Sequence, residues 1–536
     1  MTNYQFTGGT ICAPATIPGT GAISIIRVSG KESLAIADKV IDTKGVPIAE
    51  TEGYRLRYGT VFEADGSVLD NVIVSVFRAP HSYTGENSVE ISCHASRFIV
   101  NKILELLVNA GARIAAPGEF TRRAFVNGKM DLAQAEAVAD VIASQSAASH
   151  RVAMNQLKGG FSSELKVLRE KLLTMTSLLE LELDFSEEEV EFASRKELGQ
   201  LVDDSLTHIG RLTASFSRGN AIKNGVPVAI VGATNTGKST LLNALLGEER
   251  AIVSDIAGTT RDTIEETLNI DGILFRFIDT AGIRETDETI EKIGIDRTFK
   301  KLDEATVVLG MTDLSRGEAA VLEDADFILS KVNEMGGVKN VAAVNDGAEI
   351  GWASLAETGG ASQHGHGDGQ KRKVVILVNK CDVAGDFYRD DNGTDYGSGN
   401  DLGENMAEIG DNKNVNHDNN IVSLIENKYD NCKVIPISAK TGKGLSTLTK
   451  TLGEIGSEIT GSTDETLVTN ARHYEALVRA ASALERVRAG LHIATLPPDL
   501  IAQDLREALY HLGEIVGEIS TDETLGNIFR NFCIGK

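Results

Sequence analysis

The segment Gly232-Ala-Thr-Asn-Thr-Gly-Lys-Ser-Thr240 has the spacing G-x-x-x-x-G-K-S and sits between a β-branched run, Val228 to Val231, and a helical run, Leu241 to Leu246. Strand, glycine loop and helix in that order are what phosphate binding requires. Glycines at 232 and 237 let backbone N–H groups close around phosphate oxygens, and the helix N-terminus adds its partial positive charge. Lys238 reaches the terminal phosphates and counts as catalytic, Ser239 is expected to hold Mg²⁺, and Asn235, Thr236 and Thr240 complete the nucleotide loop.

Four more segments follow in the order such a site needs. Asp279-Thr-Ala-Gly282, after the strand Leu274 to Ile278, would set a carboxylate behind the Mg²⁺ and a glycine N–H on the γ-phosphate. Asn379-Lys-Cys-Asp382 follows the strand Val374 to Val378; Asp382 can accept from N1–H and the exocyclic amine of guanine, a donor pair that adenine lacks. The expected nucleotide is therefore GTP. Ser438-Ala-Lys440, after Val434 to Ile437, would support base recognition, and Thr259-Thr-Arg-Asp262 supplies Thr260 for Mg²⁺. Asp279 or Asp382 alone reads as a surface carboxylate; the specificity lies in the ordered set. Ile283 stands where many GTPases carry the glutamine that orients water, and an isoleucine cannot do that. Glu285, Asp287, Glu288 and Glu291 are the polar candidates, though each read singly is a solvated helix face.

These segments need a scaffold of several domains, because 536 residues exceed one ordinary core. The expected class is multidomain, α+β and α/β. Residues 1–126 read as mixed α and β: Ala22 to Val28, Tyr54 to Phe62 and Val72 to Phe77 alternate like strands, Ala64 to Ser67 is a hairpin turn, and Ser96 to Asn109 has helical spacing. Residues 127–222 are strongly helical, 223–459 are the nucleotide-binding α/β domain, and the helical period returns over 460–536, from Thr469 to Leu491 and Pro498 to Phe532. One helical bundle thus carries the α/β domain as an insertion. Stretches near 336–370 and 386–420, rich in Gly, Asp and Asn, read as long exposed loops.

Composition narrows the class further. A net charge of −24 argues against a surface that coats nucleic acid through phosphate neutralisation, so any RNA contact must be local or shared. Arg122, Arg123, Arg472 and Arg479 are candidate contacts, with solvated or paired side chains as the plainer reading. The five cysteines are scattered and form no C-x-x-C pair, which points to reduced thiols. No apolar run is long enough to span a bilayer, and Met1 to Thr20 has no Lys or Arg before its mildly apolar stretch, so a cytoplasmic location is expected.

At this point the chain resembles the MnmE or TrmE family of tRNA modification GTPases over nearly its whole length, apart from the two loops. Besides the GTPase segments, the resemblance rests on Ile25-Ile-Arg-Val-Ser-Gly30, Ser82-Tyr-Thr-Gly-Glu86, Pro117-Gly-Glu-Phe120, Asp131-Leu-Ala-Gln-Ala-Glu136 and Phe532-Cys-Ile-Gly-Lys536. It implies an N-terminal domain that binds 5-formyl- or 5,10-methylene-tetrahydrofolate and makes the homodimer contact, with Arg27, Glu90, Lys129 and Lys536 lining the pocket. For Arg27 and Glu90 a strand-surface ion pair is the plainer alternative. It implies K⁺ in place of an arginine finger, held by Asn235 and by Ser254, Ile256 and Thr259 of Ser254-Asp-Ile-Ala-Gly-Thr259 once two G domains meet. Glu291 then matches the residue that fixes the catalytic water. Finally it implies an FAD-dependent partner of the MnmG or GidA type, in a heterotetramer, that helps install an aminomethyl or carboxymethylaminomethyl group at C5 of the wobble uridine. Cys533 matches a cysteine linked to that step. A regulatory GTPase of ribosome assembly fits the P-loop segments too, and a folate-dependent one-carbon enzyme fits the N-terminal domain; neither accounts for both.

Overall fold

The computed structural model describes residues 8–184, 194–249, 266–278, 304–334, 372–383, 421–429, 432–461, 465–493, 497–519, 522–530, 532 and 535. Segment 254–262, Asp279 to Gly282, Glu291, Cys533, Lys536 and both Gly/Asp/Asn-rich stretches lie outside them. The chain divides into one unit of residues 1–144, 150–216 and 464–536, and a second of residues 145–149 and 217–463.

The first unit opens with a seven-stranded sheet. Its strands are β1 (Ile11–Pro14), β2 (Gly21–Ser29), β3 (Ile41–Asp42), β4 (Arg55–Phe62), β5 (Val68–Phe77), β6 (Ser88–Ala95) and β7 (Arg113–Ile114), in the order β3-β4-β5-β6-β2-β1-β7. Side chains alternate between faces, so Val72, Val74 and Val76 go inward with Ile26, Val28 and Ile91 against helices Ser33–Val40 and Arg97–Asn109. The other face carries Ile23, Arg27, Leu56, Tyr58, Ile73 and Glu90, matched across the ladders as Tyr58↔Ile73 and Arg27↔Glu90. Between β4 and β5, Asp65 Oδ1 accepts from Ser67 N and Ser67 Oγ, which closes the turn expected from Ala64 to Ser67.

Helical spacing in the same unit produces helices Leu132–Ala143, Gly160–Asp184, Arg195–Ala214, Ala471–Leu491 and Pro498–Val516. Leu165, Leu172, Leu198, Ile209, Leu477, Leu484, Leu505 and Leu512 are all fully or almost fully buried in one core. Segments on both sides of the inserted unit in sequence therefore build one bundle. Asp131 and Gln134 form a reciprocal capping box at the start of Leu132–Ala143. The period from Pro498 to Phe532 is not one helix: Gly517, at φ +83°, stops the first part, and Asp522–Arg530 is a separate helix. The N–H groups of Gly517 and Glu518 both donate to Gly513 O, which satisfies the helix end and lets the chain turn.

A charged group is built into this bundle. Glu136 accepts from Arg472 Nε at 3.0 Å and Nη2 at 2.8 Å, and its Oε2 lies 2.7 Å from His473 Nε2. Arg472 also donates to the carbonyls of Glu514 and Ile515, so one buried cluster joins three helices. Burial alone would raise the Glu136 carboxyl, but His473 and Arg472 outweigh it and bring it down to about 2.

The second unit is a six-stranded sheet of β8 (Val226–Gly232), β9 (Glu266–Ile270), β10 (Ile273–Ile278), β11 (Val307–Asp313), β12 (Lys373–Asn379) and β13 (Cys432–Pro436), ordered β13-β12-β11-β8-β10-β9. All neighbours are parallel except β9 and β10. Strands β8, β11 and β12 are buried almost throughout, as expected of parallel strands covered on both faces. In such a sheet ligands bind beyond the carboxyl ends of the strands.

Candidate functional site

At the carboxyl end of β8 the chain enters the glycine loop and then helix Lys238–Glu249, the strand, loop and helix expected from the sequence. A Cβ on Gly232 would stand 2.3 Å from Met311 O, and one on Gly237 would stand 2.4 Å from Asn379 Nδ2. Only glycine fits at these two points, because neighbouring backbone and a fixed amide approach so closely. Asn235 sits between them with φ +59°, the left-handed conformation that asparagine tolerates better than most residues. Lys238 Nζ donates to Gly232 O at 2.9 Å and Ala233 O at 2.8 Å, and burial pushes its pKa down. Its charge is folded back over the loop. Ser239 lies in the first helical turn, where its hydroxyl can serve as an oxygen donor to a cation beside phosphate.

The second half of the site is assembled at β12. Asn379, almost fully buried, donates from Nδ2 to Thr236 O at 2.7 Å and accepts at Oδ1 from Ala439 N at 3.0 Å. One side chain therefore ties the glycine loop, Asn379 to Asp382, and Ser438 to Lys440 to one another. Asp382 Oδ1 accepts from Ser438 Oγ at 2.7 Å, which orients the carboxylate. Cys381 is buried and its thiol is pushed up to about 11, so it is a packing residue of this turn and no nucleophile. The structure adds a residue that motif reading did not single out: Asp313, last in β11, accepts from Lys380 Nζ at 2.6 Å. Its trace in the sequence is a lone acid closing the buried run from Ala305 to Thr312.

In the first unit Arg27 and Glu90 are paired, with Arg27 Nη2 at 2.8 Å from Glu90 Oε1. The plainer alternative therefore describes part of the arrangement, but the guanidinium also lies 5.1 Å from the Tyr83 ring centroid and 5.7 Å from that of Phe120. Lys129 Nζ donates to Pro80 O at 3.0 Å. Gly535 comes to the same strands: a Cβ there would stand 2.0 Å from Pro14 O, and Pro14 pairs with Ile26 beside Arg27. Two family segments turn out to be mutual supports. Glu86 of Ser82 to Glu86 binds Arg123 Nη1 at 2.9 Å, and Glu119 of Pro117 to Phe120 binds Arg123 Nη2 at 3.0 Å.

Two family models match this chain: "GTP-binding protein TrmE N-terminus" over residues 10–129 and "MnmE helical domain" over residues 132–533. A protein of Parabacteroides distasonis named tRNA modification GTPase MnmE is 46% identical over 534 residues, covering 98% of this chain and all of that one. The chain belongs to the MnmE family of tRNA modification GTPases. Relatives of the same name in Bacteroides thetaiotaomicron and Porphyromonas gingivalis are 45% and 44% identical, over 98% and 99% of this chain and 99% of each relative. This MnmE-family chain has an N-terminal domain, a helical domain and a GTPase-type α/β domain, the class expected from its sequence. Among the described residues no helix is long and apolar enough to cross a membrane. Of the four arginines considered for RNA, Arg123 is buried among Glu86 and Glu119, Arg472 is bound by Glu136, and Arg479 lies 3.7 Å from Glu475.

Proposed function

We propose that this MnmE-family protein binds and hydrolyses GTP at the carboxyl ends of β8, β11 and β12 and couples that hydrolysis to modification of tRNA. The observation that carries the reading is Asn379, whose two amide atoms join the phosphate loop to the base-recognition segments. Lys238 and the loop N–H groups would hold the phosphates, Asp382 the guanine edge, and Lys440 the far side of the base. Ser239 with Thr260 is the Mg²⁺ pair, and Thr280, Ala281, Gly282, Asp255, Ala257 and Gly258 belong to the same nucleotide shell.

The K⁺ reading rests on Asn235 and its left-handed backbone, with Ser254, Ile256 and Thr259 as further oxygen donors. A monovalent cation there offsets charge that grows on the phosphates. GTP turnover is expected to rise about tenfold or more when Na⁺ is replaced by K⁺ at equal ionic strength. Equal rates in the two salts would remove K⁺ from the mechanism. Glu291 takes the water-orienting role that Ile283 cannot fill. Glu291→Ala is expected to lower kcat about a hundredfold or more while nucleotide affinity stays within twofold, roughly; a matched loss in both would instead assign it to binding.

The folate reading rests on Arg27, whose flat guanidinium lies among Tyr83, Phe120 and Glu90. Rings and paired charges of that kind fit a pterin and its carboxylates, with Lys129 and Lys536 as further cations. When bound, tetrahydrofolate supplies the one-carbon unit, and Gly535 lies against Pro14 and Ala15 beside these strands. The homodimer is assigned to the open sheet face, where Ile23, Leu56, Tyr58 and Ile73 are about half to two-thirds exposed. An FAD-dependent MnmG-type partner, a wobble-uridine substrate and a cytoplasmic location complete the proposal.

A further inference from the structure

The lysine of Asn379 to Asp382 is anchored at both ends. Its backbone has φ +64°, a conformation that side-chain-bearing residues adopt reluctantly, and its ammonium meets Asp313 Oδ2 at 2.6 Å. Asp313 is itself buried, and its other oxygen accepts from Ser315 N at 3.0 Å and Ser315 Oγ at 2.6 Å. Burial works against this carboxylate, but the bonds from Lys380 and Ser315 prevail and hold it below the ordinary range. Both oxygens are therefore committed to fixed donors.

The place of this pair in the sheet matters. Strand β11 lies between β8, which leads into the phosphate loop, and β12, which ends at Asn379. A nucleotide with its phosphates on the loop and its base edge on Asp382 must pass over the end of β11, where Asp313 stands. We infer that Asp313 is a positioning residue of the guanine site: its ion pair draws the Lys380 side chain across the end of β11 as a floor for the base. With the ammonium tied down, the aliphatic stem offers an apolar surface to the purine face. The tied charge also cannot swing to the Asp382 carboxylate and compete with the guanine edge. This inference rests on the guanine-nucleotide reading given above.

The test uses the full-length protein and titration with fluorescent GDP and GTP analogues. Asp313→Asn keeps an oxygen for Ser315 and removes the charge, and it should weaken both nucleotides about tenfold or more. In turnover the loss should fall on KM for GTP and not on kcat. Lys380→Met, which keeps the stem, should show a smaller loss, and the double variant should bind no worse than Asp313→Asn alone. Additive losses, or full affinity in Asp313→Asn, would overturn the inference. If Asp313→Asn folds poorly by thermal melting, Ser315→Ala, which removes the hydroxyl bond to Asp313 Oδ1 and leaves the backbone N–H bond in place, should weaken binding in the same direction by less, and unchanged affinity there counts against the inference. Asp382→Asn is run alongside and should shift preference from guanosine to xanthosine nucleotides. No shift would sink the guanine reading itself, whereas a shift together with normal binding by Asp313→Asn would sink only the positioning role.

Discussion

Lys238→Ala is expected to lower affinity for GTP and GDP by at least about a hundredfold and to remove measurable hydrolysis. The ammonium is the one side-chain cation of the loop in the described residues, held over Gly232 O and Ala233 O at the start of helix Lys238–Glu249. Each hydrogen bond it would make to a phosphate oxygen is charge-assisted, worth roughly 1.5–3 kcal/mol, and every 1.4 kcal/mol is about a tenfold change in affinity. Two such bonds account for the loss. Lys238→Arg should rescue little, because a planar fork cannot replace a compact ammonium in a cleft closed by Gly232 and Gly237. In the absence of nucleotide the alanine variant should melt close to the parent, since among the described residues the side chain's hydrogen-bond partners are two loop carbonyls. Affinity for GDP, measured by fluorescence titration, decides the matter: unchanged binding would mean the phosphates do not sit on this loop.

The second large effect is on stability. Glu136→Ala strips the anion from a buried cluster and leaves Arg472 and His473 facing each other 3.0 Å apart. Removing one member of such a buried pair costs about 3–5 kcal/mol, because an uncompensated charge remains inside. Urea unfolding followed in the helical unit should show this as a lower midpoint, and Glu136→Gln should recover only part of it. The pH dependence has a definite sign. The carboxyl titrates at about 2 in the folded chain against 4.5 for the ordinary group. Its contribution is therefore fully present above the ordinary value and is lost as pH falls toward 2. The parent should lose more stability than Glu136→Ala over that window, and parallel acid profiles would show that the cluster carries no such linkage.

The glycine loop of the candidate nucleotide site was legible in the chain because its parts are local. Phosphate binding needs a strand, a glycine loop and a helix start within a dozen or so residues, and that spacing is covalently set. The turn from Ala64 to Ser67 was readable for the same reason. The long period from Pro498 to Phe532 hid a break at Gly517, because an apolar repeat can continue across a turn that redirects the helix. For Arg123 and Arg472 the plainer reading, solvated or paired side chains, left the partner open, and the structure pairs them with Glu119 and Glu136.

What the sequence by itself determined is the kind of chemistry and the class of fold: a GTPase-type α/β domain among helices, with a strand, glycine loop and helix of phosphate-binding spacing and Asp382 as the candidate carboxylate for guanine. What only the tertiary structure decided is the pairing of distant side chains, namely Asp313 with Lys380, Arg27 with Glu90, and Glu136 with Arg472, separated by 67, 63 and 336 residues. Local spacing is fixed by bonds along the chain. Which carboxylate meets which cation is settled by strand register and helix packing, where many far-apart segments compete to bury the same surface.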